Sequence, residues 1–378
     1  MKINLINEPR IIVSNPYSNF NYFAWPSVAR LQNGRIAVAS SGFRYEHICP
    51  FGKATISFSE DDGETFSPPM PVIDTVLDDR DAGLCTFGEN GLIVTSFNDT
   101  VEDQRICADK GHTKGARRDT VHAYLNTVKP EDEAKYLGTL YRVSYDCGKS
   151  FGELFHAPVS SPHGPIQLQD GSILWVGRAG NTAGEDIEYE HAEQIQAYKI
   201  GLDGKCEFVG AIDDIPDLVS EEPYTIQMPD GKLICHIRVG PIFGAWQSES
   251  YDGGKTWTKP HEVLPAYEGA PVHTLLHSSG MLIGAYSHRG FDGKPPYGIR
   301  LMFSKDGGES WDYGNVVFNH ADTRPGPAAG QDIGYPSTVE LSDGSLLTVF
   351  YAHPECTIDP ASSTNPSVIY AQKWTFEE

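Results

Sequence analysis

Six times along the chain, apolar residues alternate with polar ones over a short run, turn on a glycine, and resume as a second apolar run. The segments are 26–38, 81–94, 164–175, 222–234, 271–283 and 335–347, turning at Gly34, Gly91, Gly171, Gly231, Gly280 and Gly344. Period-two alternation marks half-buried strands, and Asn-Gly or Asp-Gly between two such runs is a hairpin signal. The glycines are 57, 80, 60, 49 and 64 residues apart. Each interval holds about one four-stranded sheet, so the pattern predicts an all-β protein: a six-bladed β-propeller formed as a single domain over residues 1–378. An apolar run at Ile11–Val13 is expected to pair beside Val368–Tyr370, closing the ring and removing the open edge.

A second repeat punctuates the first. The pattern S-x-D-x-G-x-[ST]-[FW] occurs at Ser59–Phe66, Ser144–Phe151, Ser250–Trp257 and Ser304–Trp311. Its Asp can accept backbone N–H groups across a bend, its Gly can take positive φ, and its aromatic returns to the apolar layer. The four copies fall after hairpins one, two, four and five, between the outer strands of those blades. They resemble the Asp-boxes (BNR repeats) of the sialidase, or neuraminidase, superfamily. Blade three has only a degenerate turn at Leu202–Lys205.

Two spacings are long. Residues 99–137, assigned between the strands of blades one and two, contain a stretch near 117–136 with helical character, and residues 180–193 are rich in Gly and Glu. Such insertions map to loops on one face. They shape a binding site, decorate the surface, or form a subunit contact in a homo-oligomer.

Composition narrows the partners. The net charge is −22, which excludes surfaces built for nucleic acid or anionic membrane, and no apolar run is long enough to span a bilayer. Seven scattered Cys lack metal-binding spacing and point to reduced thiols. No metal or cofactor is expected. The first residues lack the apolar core of a signal peptide, so the chain reads as cytoplasmic, or as secreted with a leader already removed.

In a propeller the inner strands converge on a channel, and the residues at their starts rim one mouth. Here those positions carry Trp25, Arg44, Glu46 and His47 from blade one, Asp78 to Asp81 from blade two, and His163 and Arg178 from blade three. Blade four gives Glu221, Glu222 and Arg238; blade five gives His273, His288, Arg289 and, one strand on, Arg300; blade six gives Asp332, Tyr335, Tyr351 and His353. Core packing does not call for ionisable groups at equivalent positions of every blade.

The sialidase resemblance implies roles for some of them. Sialidases carry a Glu at the start of the fourth inner hairpin, an Arg on its returning strand and a nucleophilic Tyr at the sixth; Glu222, Arg238 and Tyr335 match. Arg289 or Arg300 matches a further Arg after the fifth. The chemistry agrees: a phenol of pKa ~10 needs a neighbouring base, and guanidiniums hold a carboxylate in bidentate fashion. Two positions depart. The family's Phe-Arg-Ile-Pro is Phe23-Ala24-Trp25-Pro26 here, and its acid/base Asp has no counterpart where Arg44, Tyr45, Glu46 and His47 stand. Glu46 or His47 is then the expected acid/base, and Arg44 the replacement clamp; Arg80, Asp81, Trp25, His163 and His273 are expected to line the substrate site. The implied function is an exo-glycosidase removing a terminal carboxylated sugar from a glycan or small saccharide. Two alternatives keep the fold: a hydrolase or lyase acting on uronic-acid polysaccharide through His163, His273 or His47 with Tyr335, and a carbohydrate-binding propeller without catalysis.

Overall fold

The computed structural model describes residues 1–112, 115–180, 194–290, 297–320, 332–354 and 366–377. Its strands form six antiparallel sheets around a channel. Blade one runs outward as Tyr22–Arg30, Ile36–Arg44, Lys53–Ser59 and Met70–Ile73. Blade four repeats the order as Val219–Gln227, Leu233–Gly240, Gly244–Ser250 and His261–Leu264, and blades two and five follow it. In blade three the inner strand is split, with Val159–Ser160 and Ile166–Gln167 both pairing to Ile173–Ala179.

Blade six closes the ring. Its strand Val368–Glu377 pairs with both Lys2–Leu5 and Arg10–Val13, Ile11 opposite Tyr370 and Val13 opposite Ile369. The outer edge of the last sheet is thereby covered.

The core is divided between the blades. Six apolar clusters each join one blade to the next, such as Leu174, Leu233 and Cys235 between blades three and four, or Ile283, Leu346 and Phe350 between five and six. Second strands face a neighbour on both sides, so Ile36–Arg44 is buried almost throughout. That double burial selects small or apolar residues on both faces.

The Asp-box turns complete these contacts. A Cβ placed on Gly148 would lie 2.4 Å from the Phe58 ring of blade one, and one on Gly308 would lie 2.9 Å from Ile234 of blade four. Trp311 Nε1 donates to Gln247 Oε1 of blade four at 2.8 Å. Each box therefore locks onto the preceding blade as well as fixing its own turn.

The long insertion lies inside blade two, between its strands Gly91–Asn98 and Gly138–Ser144, rather than between blades one and two. Its helical part begins earlier than expected, as α1 (Val101–Cys107), and continues as α2 (Ala116–Leu125) and α3 (Pro130–Tyr136). Thr100 caps α1 by accepting from Asp103 N, and Pro130 opens α3. Val121 and Leu125 pack with Tyr45 and Phe51, so the insertion braces the blade-one loop that carries Glu46 and His47. Of the second insertion, residues 181–193 lie outside the described residues. No described helix is long and apolar enough to cross a membrane.

Candidate active site at the channel mouth

Four residues share an unusual backbone. Trp25, Asp81, Glu222 and Tyr335 have φ of 51°, 47°, 45° and 49°. Each sits where its inner strand begins, at an irregularity in pairing: between Ala24 and Ser27, between Glu221 and Tyr224, between Gly334 and Ser337, and between the Arg80–Phe97 bridge and the Leu84–Val94 pair. Left-handed geometry in a bulky residue costs about 1–3 kcal/mol and persists only where the surroundings impose it. Three of the four precede Pro26, Pro223 or Pro336, whose missing N–H suits a break in the ladder. The bulge swings these side chains out of the alternation and towards the channel.

The centre is Tyr335, 5% exposed. Its hydroxyl donates to Glu222 Oε1 at 2.5 Å and accepts from Arg238 Nη1 at 3.2 Å. Arg238 Nη1 also lies 2.6 Å from Glu222 Oε2, and its Nε is 3.5 Å from Glu221 Oε2. Burial, with the Glu222 carboxylate next, raises the Tyr335 phenol well above its ordinary value. Tyr335 is therefore neutral at neutral pH. Arg238 remains a cation: burial opposes its charge, but the Glu222 carboxylate more than restores it.

Arg289 is the blade-five arginine at this centre. It is 6% exposed and within electrostatic reach of Tyr351, Tyr335, Asp332 and Arg238. Arg300 lies on the third strand of blade five, its Nη1 3.4 Å from Glu268 Oε1. Of the two arginines left open by the sequence, Arg289 thus stands among the groups around Tyr335, and Arg300 pairs with Glu268.

A cavity of about 530 Å³ opens beside the Tyr335 cluster, lined by Glu222, Arg238, Glu221, Arg178, Asp81 and Asp99 among others. Glu221 Oε1 is 3.9 Å from Arg178, and Asp99 is 3.7 Å from Arg80. Asp81 makes no ion pair among the described residues, and its buried Oδ1 has no hydrogen-bond partner. Burial pushes its carboxyl up to about 7, with Arg80 opposing and Glu222 reinforcing the shift.

A second cluster lies on the blade-six side. Asp332 accepts from Tyr22 at 2.6 Å and Tyr351 at 3.0 Å, with His47 Nδ1 at 3.3 Å and His353 Nε2 at 3.4 Å. Burial pushes His47 down to about 4 despite Asp332, so its ring is neutral at neutral pH.

The remaining sequence candidates separate into layers. Trp25 is buried, with the guanidiniums of Arg44 and Arg80 at 4.9 and 4.8 Å from its ring centroid. Arg44 is not brought to the cavity: it is fully buried, with Asp78 at 2.6 Å, Ser41 Oγ at 2.6 Å and the His47 carbonyl at 2.9 Å. His163 and His273 line a separate cavity further along the channel, their rings 5.0 Å apart, and Tyr224 stacks on His273 at 4.4 Å. Glu46 is half-buried on the braced loop and is not among the residues lining the cavity beside Tyr335. Tyr22 and Asp99 escaped the sequence reading. Tyr22 stands one residue before Phe23-Ala-Trp-Pro, and Asp99 directly follows the second strand of blade two, near the place where the second strands of blades one and four supplied Arg44 and Arg238.

A family model described as a BNR repeat-like domain matches residues 216–366. No curated protein sequence matches the chain. Among solved structures, a protein of unknown function from Dyadobacter fermentans superposes with a TM-score of 0.72 at 18% identity, covering 99% of both chains. The NanB sialidase from Streptococcus pneumoniae gives 0.64 at 13% identity over 97% of this chain and 70% of its own. The intramolecular trans-sialidase from Ruminococcus gnavus, solved with oseltamivir carboxylate, gives 0.59 at 13% identity over 95% and 96%. At these identities the structural likeness speaks for the fold. Six blades and four Asp-boxes make the chain a six-bladed β-propeller that carries BNR repeat-like sequence over residues 216–366 and is similar in fold to the sialidases.

Proposed function

We propose that the protein is a retaining exo-glycosidase that removes a terminal, carboxylated sugar, with Tyr335 as nucleophile and Glu222 as its base. The observation that carries this reading is the 2.5 Å bond from the Tyr335 hydroxyl to Glu222 inside a buried cluster that Arg238 completes. A phenol raised above its usual value is a weak nucleophile unless its proton leaves as the new bond forms. Glu222 Oε1 lies where it can take that proton. A neutral phenol also meets an anionic sugar without the repulsion that a carboxylate nucleophile would face; tyrosine nucleophiles are a recognised exception among glycosidases.

Arg238 and Arg289 repel each other across the cluster. A substrate carboxylate settling between them relieves that repulsion and sets the anomeric carbon over Tyr335. Bond formation from Tyr335 to that carbon expels the leaving group, and water then releases the sugar with its configuration retained.

The test is a fluorogenic panel of 4-methylumbelliferyl sialosides and uronosides. Wild type is expected to turn over at least one, and Tyr335→Phe to abolish that turnover while folding normally. Binding of a glycan without turnover of any member would overturn the reading in favour of a sugar-binding propeller.

A further inference from the structure

The cluster around Tyr335 holds a nucleophile, a base and two cations, and its other carboxyl group, Glu221, is held between Arg238 and Arg178. Tyr335 and Glu222 exchange one proton between themselves. His47 is neutral at neutral pH, and its Nδ1 faces Asp332 and the Tyr22 hydroxyl.

Resting on the glycosidase reading, we propose that Asp81 is the acid–base residue of this site. In the first step the bond from the anomeric carbon to the departing oxygen breaks, and that oxygen takes the Asp81 proton. The bond to Tyr335 forms and the phenolic proton goes to Glu222. In the second step a water oxygen bonds to the carbon and gives a proton to the Asp81 carboxylate. The bond to Tyr335 breaks, and the phenol recovers its proton from Glu222. The departing oxygen and the incoming water occupy the same place in turn, so one carboxyl group serves both steps.

Four features support this assignment. Asp81 occupies the strained turn on blade two that Glu222 and Tyr335 occupy on blades four and six. It lines the cavity that Glu222 and Arg238 line. Among the described residues it is the one carboxyl group of that cavity's four with no ion-pair partner, and its Oδ1 is buried without a hydrogen bond there. The groups that act on it are Arg80, Glu222, Arg44 and Asp99, and Tyr335 lies within their range. Burial outweighs the two arginines, so the group keeps its proton to a pH of about 7. A general acid works best when its pKa lies near the working pH. Asp79, two residues earlier, is raised similarly but is bound by Thr75 N, Thr75 Oγ1 and Asn98 and does not line the cavity.

The deciding experiment compares wild type with Asp81→Asn on two glycosides of the sugar the panel identifies. One carries 4-methylumbelliferone, which departs with little help, and the other carries methanol, which must be protonated. The variant is expected to lose about 10²–10⁴-fold on the methyl glycoside and much less in the umbelliferone-releasing step. Its loss of rate as the pH rises through about 7 should vanish. Azide added to the variant is expected to restore turnover and yield the glycosyl azide. Equal losses on both glycosides, or none, overturn the assignment. A fluorinated glycosyl fluoride of the same sugar keeps the two ideas apart: it should label Tyr335 in wild type and variant alike, which also shows that the variant's site is intact. No label on Tyr335 in wild type overturns the nucleophile reading, and the Asp81 proposal with it.

Discussion

The same residue type behaves in opposite ways at the two ends of a blade. In the Asp-boxes, Asp306 accepts from Ser304 Oγ at 2.7 Å, Ser310 N at 3.0 Å and Ser310 Oγ at 2.5 Å. Asp61, Asp146 and Asp252 repeat the set, and hydrogen bonds from the turn pull Asp146, Asp252 and Asp306 down to about 2. At the mouth, Asp81 is buried, without an ion pair among the described residues, and pushed up to about 7. The boxes are exposed yet chemically complete, and every oxygen that could hold a ligand already holds the turn. Asp81 is enclosed yet incomplete. Repetition marks the first kind of aspartate and a broken backbone rule marks the second. In this protein the repeated aspartates are satisfied by their turns, and the unsatisfied one lines the cavity.

The largest expected effect lies at the mouth. Glu222→Gln keeps the size of the side chain and removes the base, so kcat on the fluorogenic substrate should fall by about 10²–10⁴-fold. If the rate stays within the normal range, Tyr335 does not depend on Glu222 and the mouth is no more reactive than the boxes.

Trp25 tests what holds the mouth together. Its ring is fully buried beneath two guanidiniums. Trp25→Ala should cost about 3–5 kcal/mol in urea unfolding, the range for removing a large buried aromatic side chain. A smaller loss would mean that the arginines repack and that the strained turns do not need the tryptophan.

The boxes should respond in stability alone. Gly148 has φ of 79°, and an added Cβ would meet Phe58 at 2.4 Å. Gly148→Ala is therefore expected to lower stability by about 1–3 kcal/mol and leave kcat unchanged. A changed kcat would show that the outer hairpin communicates with the mouth.

This division also governs what the sequence reveals. The blade count, the hairpin turns and the closure by Ile11–Val13 depend on local alternation and turn residues, which a linear reading can see. Glu222, Arg238 and Tyr335 could be singled out together because the sialidase resemblance marks those positions of the hairpins, and the fold brings the three into contact. Which blade-five arginine stands near Tyr335 was not legible, because the sequence does not show that Arg289 follows the second strand of the blade and Arg300 lies on its third. Likewise Arg44 stands at a rim position, but Asp78 and the backbone of its own loop enclose it. The left-handed turns were also hidden, since Asp81, Trp25, Glu222 and Tyr335 share no residue type, and only the following prolines hint at three of them.

The two kinds of aspartate should finally separate by pH, with opposite signs. Asp306 is depressed to about 2 in the fold against about 4 in the unfolded chain. Its contribution is present above pH about 4 and is lost as the pH falls towards about 2. Asp81 is raised, so the folded state binds its proton more tightly than the unfolded chain does. Its contribution is full below pH about 4 and is lost as the pH rises through about 7. Asp306→Asn should then melt below wild type at pH 8, with a deficit that narrows as the solution is acidified. Asp81→Asn should melt above wild type at pH 8, with a gain that shrinks towards pH about 4. A variant more stable than wild type at the pH where turnover is measured, and less active there, is what a carboxyl group held for catalysis at the expense of folding would leave behind. Were Asp81→Asn to destabilise at every pH, Asp81 would be a structural aspartate like those of the boxes.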